Sequence, residues 1–199
     1  MKILWEILVS KFHELALTKF SRSDFSWIAK IARIAQLVEH TTDTGGVLGS
    51  NPSARTMKIL SVCRANIGRS QVLAGLLEKM FPRHTIISAG TRVVSSTGES
   101  RDGTKLIDTP GAEKVIEVLR EEGIDWSGKT RTQLSPGMLK GIDRVIVMSE
   151  PEYIPEYLKN HPKMIYWEVA DLKQTPLEFH REIREKLKKL IEDNRHLFG

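Results

Sequence analysis

Lys58-Ile59-Leu60-Ser61-Val62-Cys63-Arg64-Ala65-Asn66-Ile67-Gly68-Arg69-Ser70 decides how this chain is read. The run Lys58–Val62 is apolar enough for a buried strand. A tight loop follows, and a helix is expected to begin near Arg69. Cys63, the only cysteine, stands at the strand's end, and Arg69 follows six positions later. A loop of that length can curl around one tetrahedral anion, its backbone N–H groups inward and the helix N-terminus adding partial positive charge. Arg69 can grip two anion oxygens with its planar fork. The same field favours the thiolate of Cys63, which is the nucleophilic form. Taken alone, Cys-x5-Arg is a weak signal, and a buried, inert cysteine would also fit the position. The strand before it, the serine after Arg69 and the periodic helix that follows give it weight.

Outward from this stretch, strands and helices alternate. Gln71–Phe81 reads as a helix with Val72, Leu73, Leu76, Leu77 and Met80 on one face, ended by Pro82. Thr85–Ala89 is a second strand, and the Gly-, Ser- and Thr-rich Gly90–Asp108 a surface loop. Pro110–Glu122 is expected to be a helix, with Pro110 at its start and Gly123 as its stop. Leu134–Lys140 reads as a short helix or turn, Arg144–Met148 as a third strand and Pro151–Lys159 as helical. Met164–Trp167 is a fourth strand. Pro176–His196 is the closing helix, its core stripe Leu177, Ile183, Leu187, Leu190 and Ile191. This order predicts a single three-layer α/β domain: a four-stranded parallel sheet, helices on both faces and right-handed crossovers. The cysteine loop then lies at the carboxyl end of the first strand, where open α/β sheets bind ligands.

Val62-Cys63-x-x-Asn66-Ile67-x-Arg69-Ser70 resembles the signature loop of the low-molecular-weight protein tyrosine phosphatases. The resemblance continues through Ile87-Ser88-Ala89-Gly90-Thr91, Glu122-Gly123-Ile124-Asp125 and Asp143-Arg144-Val145-Ile146-Val147-Met148, and covers about Met57 to Phe198. It implies a metal-independent phosphatase without cofactor, acting in the cytoplasm on phosphotyrosine in proteins or on a small phosphoester. It implies that Cys63 attacks phosphorus and carries a phosphocysteine intermediate. Arg64, Ala65, Asn66, Ile67, Gly68, Arg69 and Ser70 would hold the phosphate, with Arg69 stabilising the transition state. Ser70 would donate its hydroxyl to the Cys63 thiolate, and Asn66 would fix the loop. A general acid must protonate the leaving oxygen. The family takes an aspartate from a late loop, which places that role on Asp171, with Glu168 as second choice. Arg92, Arg101 and Lys105 fall where the family builds the rim.

The chain departs from the family's pattern in four places. Gly68 stands where many members carry a second cysteine, so no protective disulfide with Cys63 can form, and oxidation should run to sulfenic acid or mixed disulfides. Ala65 replaces a usual glycine and would strain the loop if that position needs a positive φ. Gln71 replaces a usual proline, an exchange expected to have a small effect. Leu172 replaces the proline that usually follows the acid, which would aim Asp171 less rigidly, and with Leu172 and Lys173 in those places the usual aromatic pair is missing, which bears on phosphotyrosine preference more than on phosphatase chemistry. Two other functions share the loop's logic. A related family of arsenate reductases has this loop and fold, and with one cysteine only a version resolved by an external small thiol remains. A non-catalytic phosphate-binding module is the third.

The 199 residues are 40% hydrophobic and 28% charged, which suits one domain with a proper core. The net charge of +5 fits an anionic substrate but is too diffuse for a nucleic-acid interface. One cysteine excludes an internal disulfide and a cysteine-based zinc site. His13, His40, His84, His161, His180 and His196 are scattered without metal-ligand spacing. No apolar run approaches the roughly 18 residues of a membrane span. Residues 1–56 read differently from the rest. Ala35-Gln36-Leu37-Val38-Glu39-His40 is what GCT CAG CTG GTA GAG CAC encodes, like the D-arm of a transfer-RNA gene. Gly49-Ser50-Asn51-Pro52, like its T-arm, begins fourteen codons later. The segment is therefore expected to be a spurious extension, with Met57 as the true start and 57–199 as the domain. An amphipathic extension, helical over Ile28–Glu39, is the other reading.

Overall fold

Residues 55–199 are described by a computed structural model of the chain. The expectations for 1–56 fall outside these residues, apart from Arg55 and Thr56. The described residues form one compact unit. Its strands are β1 (Lys58–Cys63), β2 (Thr85–Gly90), β3 (Arg144–Val147) and β4 (Met164–Tyr166), all parallel and ordered β2-β1-β3-β4. The expected four-stranded parallel sheet is present. β1 is central, and its last residue, Cys63, lies beside Gly90 of β2.

Strand alternation separates two cores. Ile59 of β1, Ile146 of β3 and Met148 face one layer, while Leu60, Val62, Val145 and Val147 face the other. The first layer holds α1 (Arg69–Met80), α2 (Glu113–Arg120) and α4 (Leu177–Asp193). The second is thinner: a 3-10 turn at Pro136–Leu139 and the single turn α3 (Glu156–Lys159), with Ile142, Ile154 and Leu158 filling the space. Helical segments therefore cover both faces, but long helices only one.

In α1, burial runs unbroken from Arg69 to Leu77 rather than along a stripe. The sheet, α2 and α4 all pack against it, and the buried polar residues of its first turn, Arg69, Ser70 and Gln71, find hydrogen-bond partners inside. Each fully buried leucine there contributes about 1.5–3 kcal/mol. α2 begins at Glu113 rather than at Pro110, because Gly111 adopts a φ of 87° that breaks the helical path. In α4 the stripe Ile183, Leu187 and Ile191 is buried as expected. His180 lies on it too, its Nδ1 donating to Pro176 O at 3.0 Å, and burial pushes its pKa down.

Charges pin α2 to α4. Glu121 accepts from Arg181 Nη2 at 2.5 Å and from Arg184 Nη1 at 2.6 Å. These guanidiniums hold its carboxyl well below the ordinary 4.5, at about 2. A depressed folded-state pKa gives stability that is present above the unfolded value and lost as pH falls through the folded one. Glu121→Gln should therefore lower the melting temperature at pH 7. Melting curves across pH should show the difference from wild type shrinking between pH 4.5 and 2.

Candidate active site

The loop between β1 and α1 is held from outside through its carbonyls. Cys63 O accepts from Thr91 N at 2.9 Å, and Arg64 O from Arg92 N at 2.8 Å. Ala65 O accepts from Arg131 Nε and Nη2 at 3.2 and 3.1 Å, and Asn66 O from Gln71 Nε2 at 3.2 Å. Gly68 O takes the N–H groups of Gln71 and Val72, both at 3.0 Å. With these carbonyls committed outward, the N–H groups of residues 64–69 have no acceptor among the described residues. No side chain caps α1 either, so its first turn stays available to an anion. Positive φ falls on Asn66, at 52°, and not on Ala65, so the feared strain at Ala65 is absent. Asparagine tolerates that conformation better than most side chains.

A hydrogen-bond chain of fixed direction ends on the cysteine. The Trp126 indole can only donate, and does so to Gln71 Oε1 at 2.7 Å. Gln71 Nε2 therefore faces Asn66 Oδ1, at 3.1 Å, which also accepts from Thr132 N at 2.7 Å. That turns Asn66 Nδ2 toward Ser70 Oγ, at 2.9 Å. Ser70, its oxygen already accepting, is left to donate to Cys63 Sγ at 3.0 Å. Asn66, Ser70 and Gln71 are fully buried. The exchange of proline for Gln71, expected to matter little, instead supplies the link between Trp126 and Asn66.

Arg69 is 4% exposed. Its Nη1 donates to Met148 O at 2.5 Å and Val169 O at 3.1 Å. Its Nη2 donates to Glu150 Oε1 at 2.7 Å and lies 3.3 Å from Asp171 Oδ1. Burial pushes Glu150 up, but its own backbone N–H and Arg69 win and hold it below the ordinary value. No motif in the sequence marks Glu150. Its signal was its place just after β3, at the carboxyl end of the sheet.

A cavity of about 490 Å³ opens over the loop. Cys63, Arg64, Ala65, Ile67, Gly68 and Arg69 line it from below, and Asp171, Leu172 and Lys173 from the β4–α4 loop. Asn66 and Ser70, expected to hold phosphate, stand behind the lining. Arg92 lines the cavity; Arg101 and Lys105 do not, and Arg101 pairs with Glu99 at 3.1 Å. Asp171 is half exposed and accepts from Leu172 N at 2.9 Å. Glu168 is exposed and lies off the cavity. Arg64 lays its guanidinium 3.8 Å from the Tyr153 ring centre. No cluster of three metal-ligating side chains occurs among the described residues.

The loop rests directly on Gly90. A Cβ there would lie 2.7 Å from Arg64 O and 2.8 Å from Asn66 N, both backbone atoms with little room to yield. Gly90→Ala should cost about 1–3 kcal/mol of stability by overpacking. It should also abolish protection of Cys63 by inorganic phosphate against iodoacetamide, read by mass spectrometry beside a melting curve.

Three comparisons bear on this geometry. The family model described as low molecular weight phosphotyrosine protein phosphatase matches residues 58–193. A probable low molecular weight protein-tyrosine-phosphatase, EpsP, of Ralstonia solanacearum is 31% identical over 90 residues, 45% of this chain and 54% of that protein. The matched stretch spans just over half the length of the curated relatives. Among solved structures, Vibrio vulnificus Wzb in complex with benzylphosphonate superposes with a TM-score of 0.57 at 23% identity, over 70% of this chain and 97% of that one. An arsenate reductase in the phosphate binding state gives the same TM-score and identity over 72% and 100%. At that identity these two likenesses concern the fold alone.

Proposed function

The chain belongs to the low molecular weight phosphotyrosine protein phosphatase family, and we propose that it hydrolyses phosphomonoesters through a phosphocysteine intermediate, with phosphotyrosine in proteins as the substrate class. The observation that carries this reading is the loop whose carbonyls from Cys63 to Asn66 are drawn outward around a buried thiol, with Arg69 and Asp171 at its edge. A phosphoryl dianion seated there would take the free N–H groups of residues 64–69 and the Nε and Nη2 of Arg69. In doing so it displaces Asp171 from Nη2 and frees it to meet the leaving oxygen.

The Cys63 thiolate attacks phosphorus in line, forming the P–S bond as the P–O bond to the leaving group breaks. Asp171 gives its proton to that oxygen. Water then attacks phosphorus, the P–S bond breaks, and Asp171 takes the water's proton. Inorganic phosphate departs and the thiolate is restored. Charge on the equatorial oxygens is met by Arg69 and the loop amides, fixed before the reaction begins. The Ser70 hydroxyl supports the thiolate as it forms and leaves. A thiolate used this way needs a reducing compartment, which supports the cytoplasm as the site of action.

The test is hydrolysis of p-nitrophenyl phosphate and of phenyl phosphate in EDTA. Cys63→Ser should abolish both. Asp171→Ala should lower kcat for phenyl phosphate about 10²–10⁴-fold, and less for p-nitrophenyl phosphate, whose leaving group needs no proton. Absence of turnover while phosphate still protects Cys63 would overturn the phosphatase reading and point to arsenate reduction with an external thiol.

A further inference from the structure

Arg131 is a buried cation that the chemistry above does not use. It is 4% exposed and forms no ion pair with any carboxylate among the described residues. A buried charge without a counter-charge is costly unless an anion answers it. Its Nε and Nη2 both donate to Ala65 O, in the middle of the loop around Cys63, and Nη2 reaches Val94 O at 3.5 Å. Both acceptors are neutral carbonyls, so its charge is not cancelled by what it touches.

Arg131 sits in a short strap, residues 130–133, that runs beside the end of β2. Gly90 N donates to Thr132 O and Leu134 N to Gly90 O, both at 2.8 Å. Each residue of the strap supports the loop or its rim. Thr130 O accepts from Gln71 Nε2, Thr132 N donates to Asn66 Oδ1, and Gln133 Oε1 accepts from Val93 N. The strap thus fixes the Arg131 side chain against the back of the loop.

We infer that Arg131 is a second arginine of the anion site. From behind the loop it holds the Ala65 carbonyl away from the bound anion and adds an uncancelled positive charge to the field there. This rests on the loop being an anion site. The other charged and titratable groups around Cys63 are Arg64 and Arg69 on the loop and α1, Glu150 after β3, Asp171 and Lys173 after β4, Arg92 after β2 and His180 on α4; Arg101 lies near Arg131 itself. Glu150 and Asp171 both lie against Arg69, so Arg69 is partly neutralised before substrate arrives. Among the described residues Arg131 has no such partner. It is a positioning residue, since it touches the loop and not the reacting atoms.

The experiment measures how inorganic phosphate protects Cys63 from iodoacetamide in the full chain, which requires no turnover. Arg131→Gln keeps a donor and removes the charge; Arg131→Lys keeps the charge and removes the fork. Arg131→Gln should weaken phosphate affinity about tenfold and slow alkylation without phosphate by a similar factor. Arg131→Lys should stay within about threefold of wild type, a rescue that a purely structural role would not give. Melting curves establish that each variant is folded. Wild-type affinity in folded Arg131→Gln, or equal loss in both variants, would overturn the inference. Should Arg131→Gln fail to fold, the lysine variant decides alone: retained affinity supports the assignment and tenfold loss overturns it. Phosphate that fails to protect even the wild type would overturn the anion site itself.

Discussion

The site depends on the direction of a few peptide units. A loop can offer N–H groups to an anion only if its carbonyls point elsewhere, and carbonyls inside a protein must still be satisfied. From Cys63 to Asn66 each carbonyl finds its donor outside the loop: two main-chain N–H groups after β2, then Arg131 and Gln71. Individually each bond contributes about 0.5–1.5 kcal/mol net. Their larger effect is to leave the loop one conformation, with its donors set before the anion arrives, so that little reorganisation accompanies binding. Gly90 is the floor under that arrangement, because the loop approaches closer than a Cβ allows.

The parts of this design that a sequence displays are the periodic ones. Apolar runs of four or five residues between helical stretches point to the parallel sheet, and the first of them fixes where the loop sits. Cys63, Arg69 and Ser70 were readable because their spacing is local. What stayed hidden depends on contacts over long separations in the chain. Trp126 lies 55 positions from Gln71, and Arg131 lies 66 from Ala65. Neither residue stands in a pattern, and an arginine in a polar segment reads as solvated. The exchange of proline for Gln71 reads as a small effect because its helix-start place is visible in the sequence and its side-chain partners are not. The start of α2 was misplaced for a local reason: Pro110 suits a first turn, but Gly111 takes a left-handed φ that a sequence with two adjacent helix signals does not reveal.

Two of the chain's departures from its family's pattern turn out to be one. A Cβ on Gly68 would stand 3.1 Å from Leu172 Cδ1 and 3.2 Å from its Cβ, so the leucine fills the space that a side chain at 68 would need. Leu172 is itself buried, 6% exposed, and carries Asp171 beside it on a backbone N–H bonded to the carboxylate. The leucine thereby gives the acid's loop an apolar anchor against the phosphate loop, where a proline would have stiffened the backbone instead. Read separately, Gly68 removes a redox safeguard and Leu172 loosens an aim. Read together, they are a packing contact that positions the acid.

The two carboxylates at Arg69 are not equivalent, and their difference assigns the proposed chemistry. Glu150 is held at 2.7 Å, with its own backbone N–H adding to the hold, and it stays charged. Asp171 is 51% exposed and 3.3 Å away. Bringing a dianion beside a thiolate concentrates negative charge, and a proton arriving with the substrate relieves it. In the proposed reaction the carboxylate that leaves Arg69 is Asp171, the more exposed and more distant of the two. Glu150 keeps Arg69 oriented through that exchange. One guanidinium can thus be anchored by one acid while it releases the other, and this division follows from the tighter contact being the less exposed one, with the looser acid at the cavity wall.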